Sequence, residues 1–197
     1  MTNPDPIVLE IREATAIIRF NRPRARNPLS SEVQTRLEQV LSEVTNRASI
    51  EVSIFTGTEG VFLSGADISE LAALDCREAL AFAQRGQHLC QLIAEAKPRT
   101  IAAINGYCLG GGLDLALACD LRIASPKAEF AHPGARLGII TGWGGTQRLS
   151  RLIGKTRAIE FFATARRFNS AEAMNIGLID IVDDSPLDYA LKISRSF

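Results

Sequence analysis

No run in this chain approaches the ~20 apolar residues that a membrane-spanning helix needs. The N-terminal Met1 to Pro6 is polar and proline-rich, which is not the pattern of a secretory leader. Neither sign of charge prevails: Lys+Arg and Asp+Glu both number 22, so the formal net charge is zero. That balance removes any electrostatic reason to expect nucleic acid, an anionic membrane or a polyanion as partner. Paired cysteines are lacking too. Cys76, Cys90, Cys108 and Cys119 show no CxxC spacing and two lie in apolar stretches. Free thiols in a reducing compartment are expected rather than disulfides or a zinc site, and the cytoplasm fits best.

What remains is an ordinary globular composition, 197 residues with 46% hydrophobic and 22% charged. That length reads as one domain, residues 1–197, able to bury its own core.

The most informative stretch runs from Asn105 to Asp120. A short buried run, Thr100-Ile101-Ala102-Ala103-Ile104, reads as a strand before it, and an apolar segment of helical composition follows. Gly110, Gly111 and Gly112 stand at the handover. Glycine there permits close approach and leaves the first helical N–H groups bare, which suits a developing negative oxygen. A tight packing turn without a ligand is the competing reading.

The rest of the chain alternates short strands with helices. Ile7 to Ile11 and Ala16 to Phe20 read as a hairpin, and Asn21 to Pro28 as a loop. Ser30 or Ser31 then caps an amphipathic helix reaching about Arg47, with Val33, Leu37, Val40, Leu41 and Val44 inward. Val52 to Thr56 is a strand, and Val61 to Ile68 a second strand-to-turn transition. Leu71 to Ala96 is helical in two pieces, the second capped by Asp75. Asp120 to Ala124 is a strand, and Phe130 to Gly145 a long glycine-rich irregular region of the kind that wraps a binding surface. Helices over 146–153, 156–165 and 170–176 follow, then a strand over 178–182 and a helix that Phe197 cuts short. Strand-strand-helix units over 52–96 and 101–118 argue an α/β fold.

Five collinear segments carry a resemblance. They are Asn21-Arg22-Pro23, Ala25-Arg26-Asn27-Pro28-Leu29, Ser64-Gly65-Ala66-Asp67-Ile68, Asn105 to Ala116, and Gly144-Gly145-Thr146-Gln147-Arg148-Leu149. In order and spacing they resemble the enoyl-CoA hydratase/isomerase (crotonase) superfamily. The resemblance implies a spiral of repeated ββα units, a homotrimer often paired into a hexamer, and a coenzyme A thioester as substrate. No separate cofactor or metal is implied, because coenzyme A enters with the substrate. It also implies an oxyanion hole from the backbone N–H groups of Ala66 and Gly111, with Gly110 beside it. Coenzyme A contacts would come from Arg24, Ala25 and the segment Ala66, Asp67 and Ile68. Solvated loop arginines and a helix-capping Asp67 are the plainer alternatives. His132 and Trp143 fall where the family approaches the acyl group.

The chain also departs from that pattern. The family's hydratases use two glutamates, one just after the glycine triplet and one in the following loop. Here those places hold Asp114 and Gly134. Asp114 also resembles the dienoyl-CoA isomerase branch, but Gly134 and Gly142 stand where that branch adds acidic residues. Asp114 is either a lone acid/base or a carboxylate that complements the helix dipole. Family members usually continue beyond the position of Phe197 in helices that cover the site, so a short or missing C-terminal helical part is expected. Three activities stay open. The first is hydration or isomerisation of an enoyl-CoA through Ala66, Gly111 and Asp114. The others are decarboxylation or thioester hydrolysis on the same scaffold, and silent acyl-CoA binding.

Overall fold

The computed structural model describes residues 5–197. β1 (Ile7–Arg12) and β2 (Thr15–Phe20) form the antiparallel hairpin, and Glu13 takes a left-handed φ of 53° at its turn. A single 3-10 turn, Pro23–Ala25, leads to β3 (Pro28–Leu29). α1 (Ser31–Thr45) is capped by Ser30, whose side chain accepts from Val33 N at 3.3 Å. Its buried face is Val33, Leu37, Val40, Leu41 and Val44, joined by Gln34, whose amide donates to Leu29 O at 3.0 Å.

β4 (Val52–Thr56) is followed by β5 (Val61–Leu63) and β6 (Gly65–Ala66). The expected single segment is broken at Ser64, whose N–H turns to Arg26 O at 3.2 Å and Asn27 O at 3.4 Å instead of continuing the ladder. α2 (Ile68–Ala73) and α3 (Cys76–Ala94) come next, and Asp75 and Glu78 build a capping box on α3. β7 (Arg99–Ile104), β8 (Tyr107–Leu109) and α4 (Gly111–Ala118) form the next unit. β9 (Leu121–Ala124), β10 (Glu129–Ala131) and α5 (Gly145–Ile153) form a third. The chain then runs through α6 (Lys155–Thr164), β11 (Phe168–Asn169), α7 (Ser170–Asn175), β12 (Ile181–Val182) and α8 (Pro186–Ser194).

In each ββα unit the first strand joins one sheet and the second another. A six-stranded sheet runs β1-β2-β4-β7-β9-β12, parallel except at its hairpin edge, and a four-stranded sheet runs β11-β10-β8-β5. β3 and β6 make a separate parallel pair. This is the repeated spiral that the resemblance implies. The region over 130–145 is less irregular than its glycines suggest: it opens within β10 and carries a 3-10 turn, Pro133–Leu137. α8 is not cut short by Phe197, since it ends at Ser194 with Arg195 as C-cap. All four cysteines are free, and three are buried. No helix of the described residues is long and apolar enough to cross a membrane.

α4 is buried from Gly112 to Ala118 and is apolar on all sides apart from Asp114. Such a helix belongs inside a protein rather than on its surface. It packs against α3, α5, β5, β6 and β8, so its N-terminus is held at the centre of the main core. The outer face of the six-stranded sheet carries Val52, Ile54, Ile101, Ala103 and Ile123, which α8 covers with Ala190.

One cation is built into this frame. Arg122 is only 6% exposed; it donates to Leu178 O at 3.1 Å, Cys119 O at 2.8 Å and Asp180 Oδ2 at 2.8 Å. Those bonds tie the end of α4 to β9 and to the approach to β12. Arg122→Ala leaves two carbonyls without their donor and the Asp180 carboxylate with only the backbone N–H of residue 122, and a loss of about 1–3 kcal/mol is expected. Urea denaturation checks it. A loss below about 1 kcal/mol would mean that water replaces the guanidinium.

Candidate active site

Two glycine turns meet at the mouth of α4. Gly65 has φ +98° and Gly110 φ +52°, values that side-chain-bearing residues rarely adopt. A Cβ on Gly65 would stand 2.9 Å from Leu109 O and 3.3 Å from Gly111 N, so backbone lies directly on backbone. Gly112 is equally confined, with its Cβ position 2.4 Å from the Leu63 side chain. Gly111 is the first residue of α4, and its N–H has no acceptor within the helix. Ala66, one residue past Gly65, lies on the facing segment.

Ala66 and Gly111 both line a cavity of about 240 Å³. Gly65, Gly110, His132, Pro133, Gly134 and Thr141 to Trp143 form its inner wall; Ile68, Leu137, Ile139 and Ile140 form its rim. Those four rim side chains are 46–64% exposed, so the mouth is apolar. Among the described residues, no lysine, arginine, aspartate or glutamate lines it. Ala66, Ile68, Gly110, Gly111, His132 and Trp143, all anticipated from the sequence, are thus brought together.

The remaining candidates fall elsewhere. Asp67 is the N-cap of α2, accepting from the N–H groups of Ser69 and Glu70, and its pKa is lowered chiefly by the Ser69 hydroxyl. Arg24 and Ala25 are exposed on the 3-10 turn and do not line the cavity. Their loop is nevertheless tied to the site, because β3 pairs with β6 in the register Leu29↔Ala66. Asn27 holds this junction: its amide donates to Val61 O at 2.9 Å and its oxygen accepts from Arg22 N at 2.6 Å. The sequence marked Asn27 only as part of a family-like segment and gave no sign of these partners.

Asp114 is fully buried and stands behind the cavity wall. Its Oδ2 accepts a hydrogen bond from the Thr141 hydroxyl. Its Oδ1 lies 3.5 Å from His132 Nε2 and so close to Gly145 that a Cβ there would overlap it. Asp114 thus lies in the first turn of α4 and against the first residue of α5, two ends that favour negative charge. Burial nevertheless dominates and pushes its pKa up to about 7, against the Thr141 hydrogen bond and the charge of Arg148. His132 is 3% exposed, and burial brings its pKa down to about 4. Its ring lies against Phe162 at 4.9 Å. Thr141 was not anticipated, since one threonine in a glycine-rich loop gives no signal of a partner.

Trp143 is held between two helices by missing side chains. A Cβ on Gly86 of α3 would lie 2.1 Å from its ring, and one on Gly111 2.8 Å. Phe82 packs on it at 5.5 Å. Gly134 is also filled in: its Cβ position is 2.6 Å from Ile139 O, and Ile139 N donates to Gly134 O at 3.0 Å. A glutamate placed there has to displace backbone before its carboxylate reaches the cavity.

The two buried titratable groups set opposite pH dependences. Asp114 has a folded pKa above its unfolded value, so its contribution is fully present below about 4 and is lost as pH rises through about 7. His132 has a folded pKa below its unfolded value, so its contribution is present above about 6.5 and is lost as pH falls toward about 4. Asp114→Asn keeps an acceptor for Thr141 and removes the first dependence. Between pH 4 and 7 its stability should gain on the parent by up to about 1.4 kcal/mol per pH unit. Denaturant midpoints across that range check this; parallel curves would show that Asp114 is ionised throughout.

Residues 10–193 match the family model described as enoyl-CoA hydratase/isomerase. The chain is 39% identical over 183 residues to a short-chain-enoyl-CoA hydratase of Clostridium acetobutylicum, covering 92% of this chain and 70% of that protein. It is 40% identical over 177 residues to a crotonyl-CoA hydratase of Syntrophomonas wolfei, covering 89% and 68%. The crystal structure of an enoyl-CoA hydratase from Bacillus anthracis superposes with a TM-score of 0.93 at 34% identity, over 97% of this chain and 76% of that one. With the ββα spiral and the paired glycine turns in place, these matches establish that the chain belongs to the enoyl-CoA hydratase/isomerase family.

Proposed function

We propose that this chain is an enzyme of acyl-CoA metabolism that hydrates or isomerises an enoyl-CoA through an enolate. The observation that carries this is the placing of Ala66 and Gly111 on one apolar cavity, each at a glycine turn. A thioester carbonyl seated between their N–H groups gains negative charge as the enolate forms. Fixed donors in a water-poor site stabilise that charge strongly, and one such donor is typically worth about 3–4 kcal/mol of barrier. The hydratase names of the relatives support the same substrate class.

The coenzyme A portion would leave the cavity past Ile68 and Asp67 toward the loop of Arg24 and Ala25. That loop is joined to Ala66 through the β3–β6 pair. Asp114 is the nearest carboxylate to the reacting carbons, acting from behind the wall. Gly134 in place of a second carboxylate leaves the proton chemistry to the Asp114 corner. Assembly as a homotrimer or a pair of trimers belongs to the same reading. Ile159, Leu152 and Met174, exposed on α5 to α7, supply apolar surface for it.

Decarboxylation is the second reading, favoured by one observation. A malonyl-type carboxylate entering this cavity meets no lysine or arginine on the lining. An unpaired, desolvated carboxylate is destabilised and favours loss of carbon dioxide into the same oxyanion hole.

Turnover of a 2-enoyl-, a 3-enoyl- and a malonyl-type CoA thioester, read as product mass, separates these outcomes. Hydration adds one water, isomerisation leaves the mass unchanged, and decarboxylation removes carbon dioxide. Gly65→Ala, strained at φ +98° and crowded by Leu109 O, shifts the Ala66 N–H. It should lower kcat roughly a hundredfold with KM little changed. Unchanged kcat would remove Ala66 from the oxyanion hole.

A further inference from the structure

Three polar atoms at one corner of the cavity are buried without a hydrogen-bond partner: Asp114 Oδ1, His132 Nδ1 and His132 Nε2. An orphaned polar atom inside a protein typically costs about 1–3 kcal/mol; two of these three face each other, which leaves His132 Nδ1 as the valence with no protein group opposite it. The arrangement is ordered from the inside outward. The Thr141 hydroxyl occupies Asp114 Oδ2, which leaves Oδ1 to face His132 Nε2 at 3.5 Å. His132 lines the cavity and Asp114 does not. The Phe162 ring, 4.9 Å away, restrains the imidazole plane. No protein group competes for Nδ1.

We propose that His132 is the catalytic residue that carries the substrate proton, with Asp114 and Thr141 as positioning residues that hold its ring through Nε2. The proposal rests on the enolate reading above and assigns its proton step. Closing the 3.5 Å gap by a few tenths of an ångström makes the Nε2–H to Oδ1 hydrogen bond, and bonds of this kind often tighten only when substrate is present. Nδ1, on the other side of the ring, is then an acceptor.

The step balances with one carrier. A C–H bond of the acyl chain breaks and an Nδ1–H bond forms. The C–H electron pair moves through the conjugated chain to the thioester oxygen between Ala66 and Gly111. The imidazolium stands against the Asp114 carboxylate, so the buried pair passes from a net charge of −1 to neutral as the thioester oxygen takes up the negative charge. Returning that proton to a different carbon breaks N–H, forms C–H and draws the electron pair back from oxygen. The double bond has moved and no water is consumed. A single acid/base corner is sufficient for this, and an apolar wall without a second carboxylate suits it better than holding a water.

The charged and titratable groups packed around the pair are Arg148 from α5, Cys90 from α3 and Cys108 from β8. Arg148 favours the carboxylate, whereas burial lifts the Cys90 thiol to about 12 and Cys108 well upward, so both stay uncharged. None of these three replaces His132 as carrier.

The test uses the full chain and two readouts. One is double-bond migration in a 3-enoyl-CoA; the other is exchange of the acyl α-protons of butyryl-CoA in heavy water, followed by NMR. His132→Asn and His132→Ala should each lower both rates at least about a hundredfold, with KM within about threefold of the parent. Added imidazole should restore exchange to His132→Ala. Thr141→Val removes the bond that favours the carboxylate and should move the acid limb of the pH profile upward, a shift that a purely structural threonine would not cause. Full exchange by a folded His132→Asn, with loss only in Asp114→Asn, would overturn the proposal and make Asp114 the direct carrier. Failure of imidazole rescue together with an unmoved Thr141→Val profile would also overturn it. A parent protein that catalyses neither reaction overturns the enolate reading and this proposal with it, so the two failures are told apart by the parent alone.

Discussion

The structure depends on one backbone-on-backbone contact, where the turn at Gly65 meets the turn at Gly110 and Gly111. A side chain at Gly65 would strike Leu109 O, and one at Gly112 would strike Leu63. These glycines let β6 lie directly against the start of α4. The apolar surround of α4 then fixes where that start points, because a helix buried along its whole length cannot rotate without exposing hydrophobic surface. The orientation of two N–H groups is therefore set by core packing rather than by loop side chains. Donors held this way need little reorganisation if charge develops beside them.

A carboxylate placed in that helix introduces a second constraint. Asp114 is surrounded by apolar residues of its own helix and by α3 and α5, so its charged form loses most of its hydration. Two helix N-termini, the Thr141 hydroxyl and Arg148 recover part of that cost, and the pKa still settles near 7. A group poised at that value gives and takes a proton with small driving force either way. The neighbouring imidazole is displaced in the opposite sense. The two shifts run in opposite directions, so burial favours the uncharged form of each group.

Much of this was legible in the sequence, and the legible part was local. The amphipathic spacing of α1, the capping residues Ser30 and Asp75, and the glycine triplet each report on their own neighbourhood. They identified the core face and the helix starts; Ala66 and Gly111 came from the resemblance, and the two line one cavity. The short strands β3, β8, β10 and β11 were missed, and Pro28, read as loop, pairs in β3; three residues or fewer show no alternation and gain strand geometry only from partners distant in sequence. Asn27 and Thr141 were missed for the same reason: their roles are hydrogen bonds across 34 and 27 positions of chain. Asp114 was found, but its place behind the cavity wall could not be read, because periodicity gives a helix face and not what covers it.

Gly134, where the resemblance puts a second carboxylate, is a packed position and not an empty one. The space beside Gly134 is occupied by Ile139 O, which a Cβ would approach to 2.6 Å, and a 3.0 Å hydrogen bond closes the turn. On the opposite wall Trp143 fits only because Gly86 and Gly111 lack side chains. The wall here is close-packed, and the polar corner of Asp114 and His132 lies within it, with His132 lining the cavity. That combination suits an apolar acyl chain and the movement of a single proton.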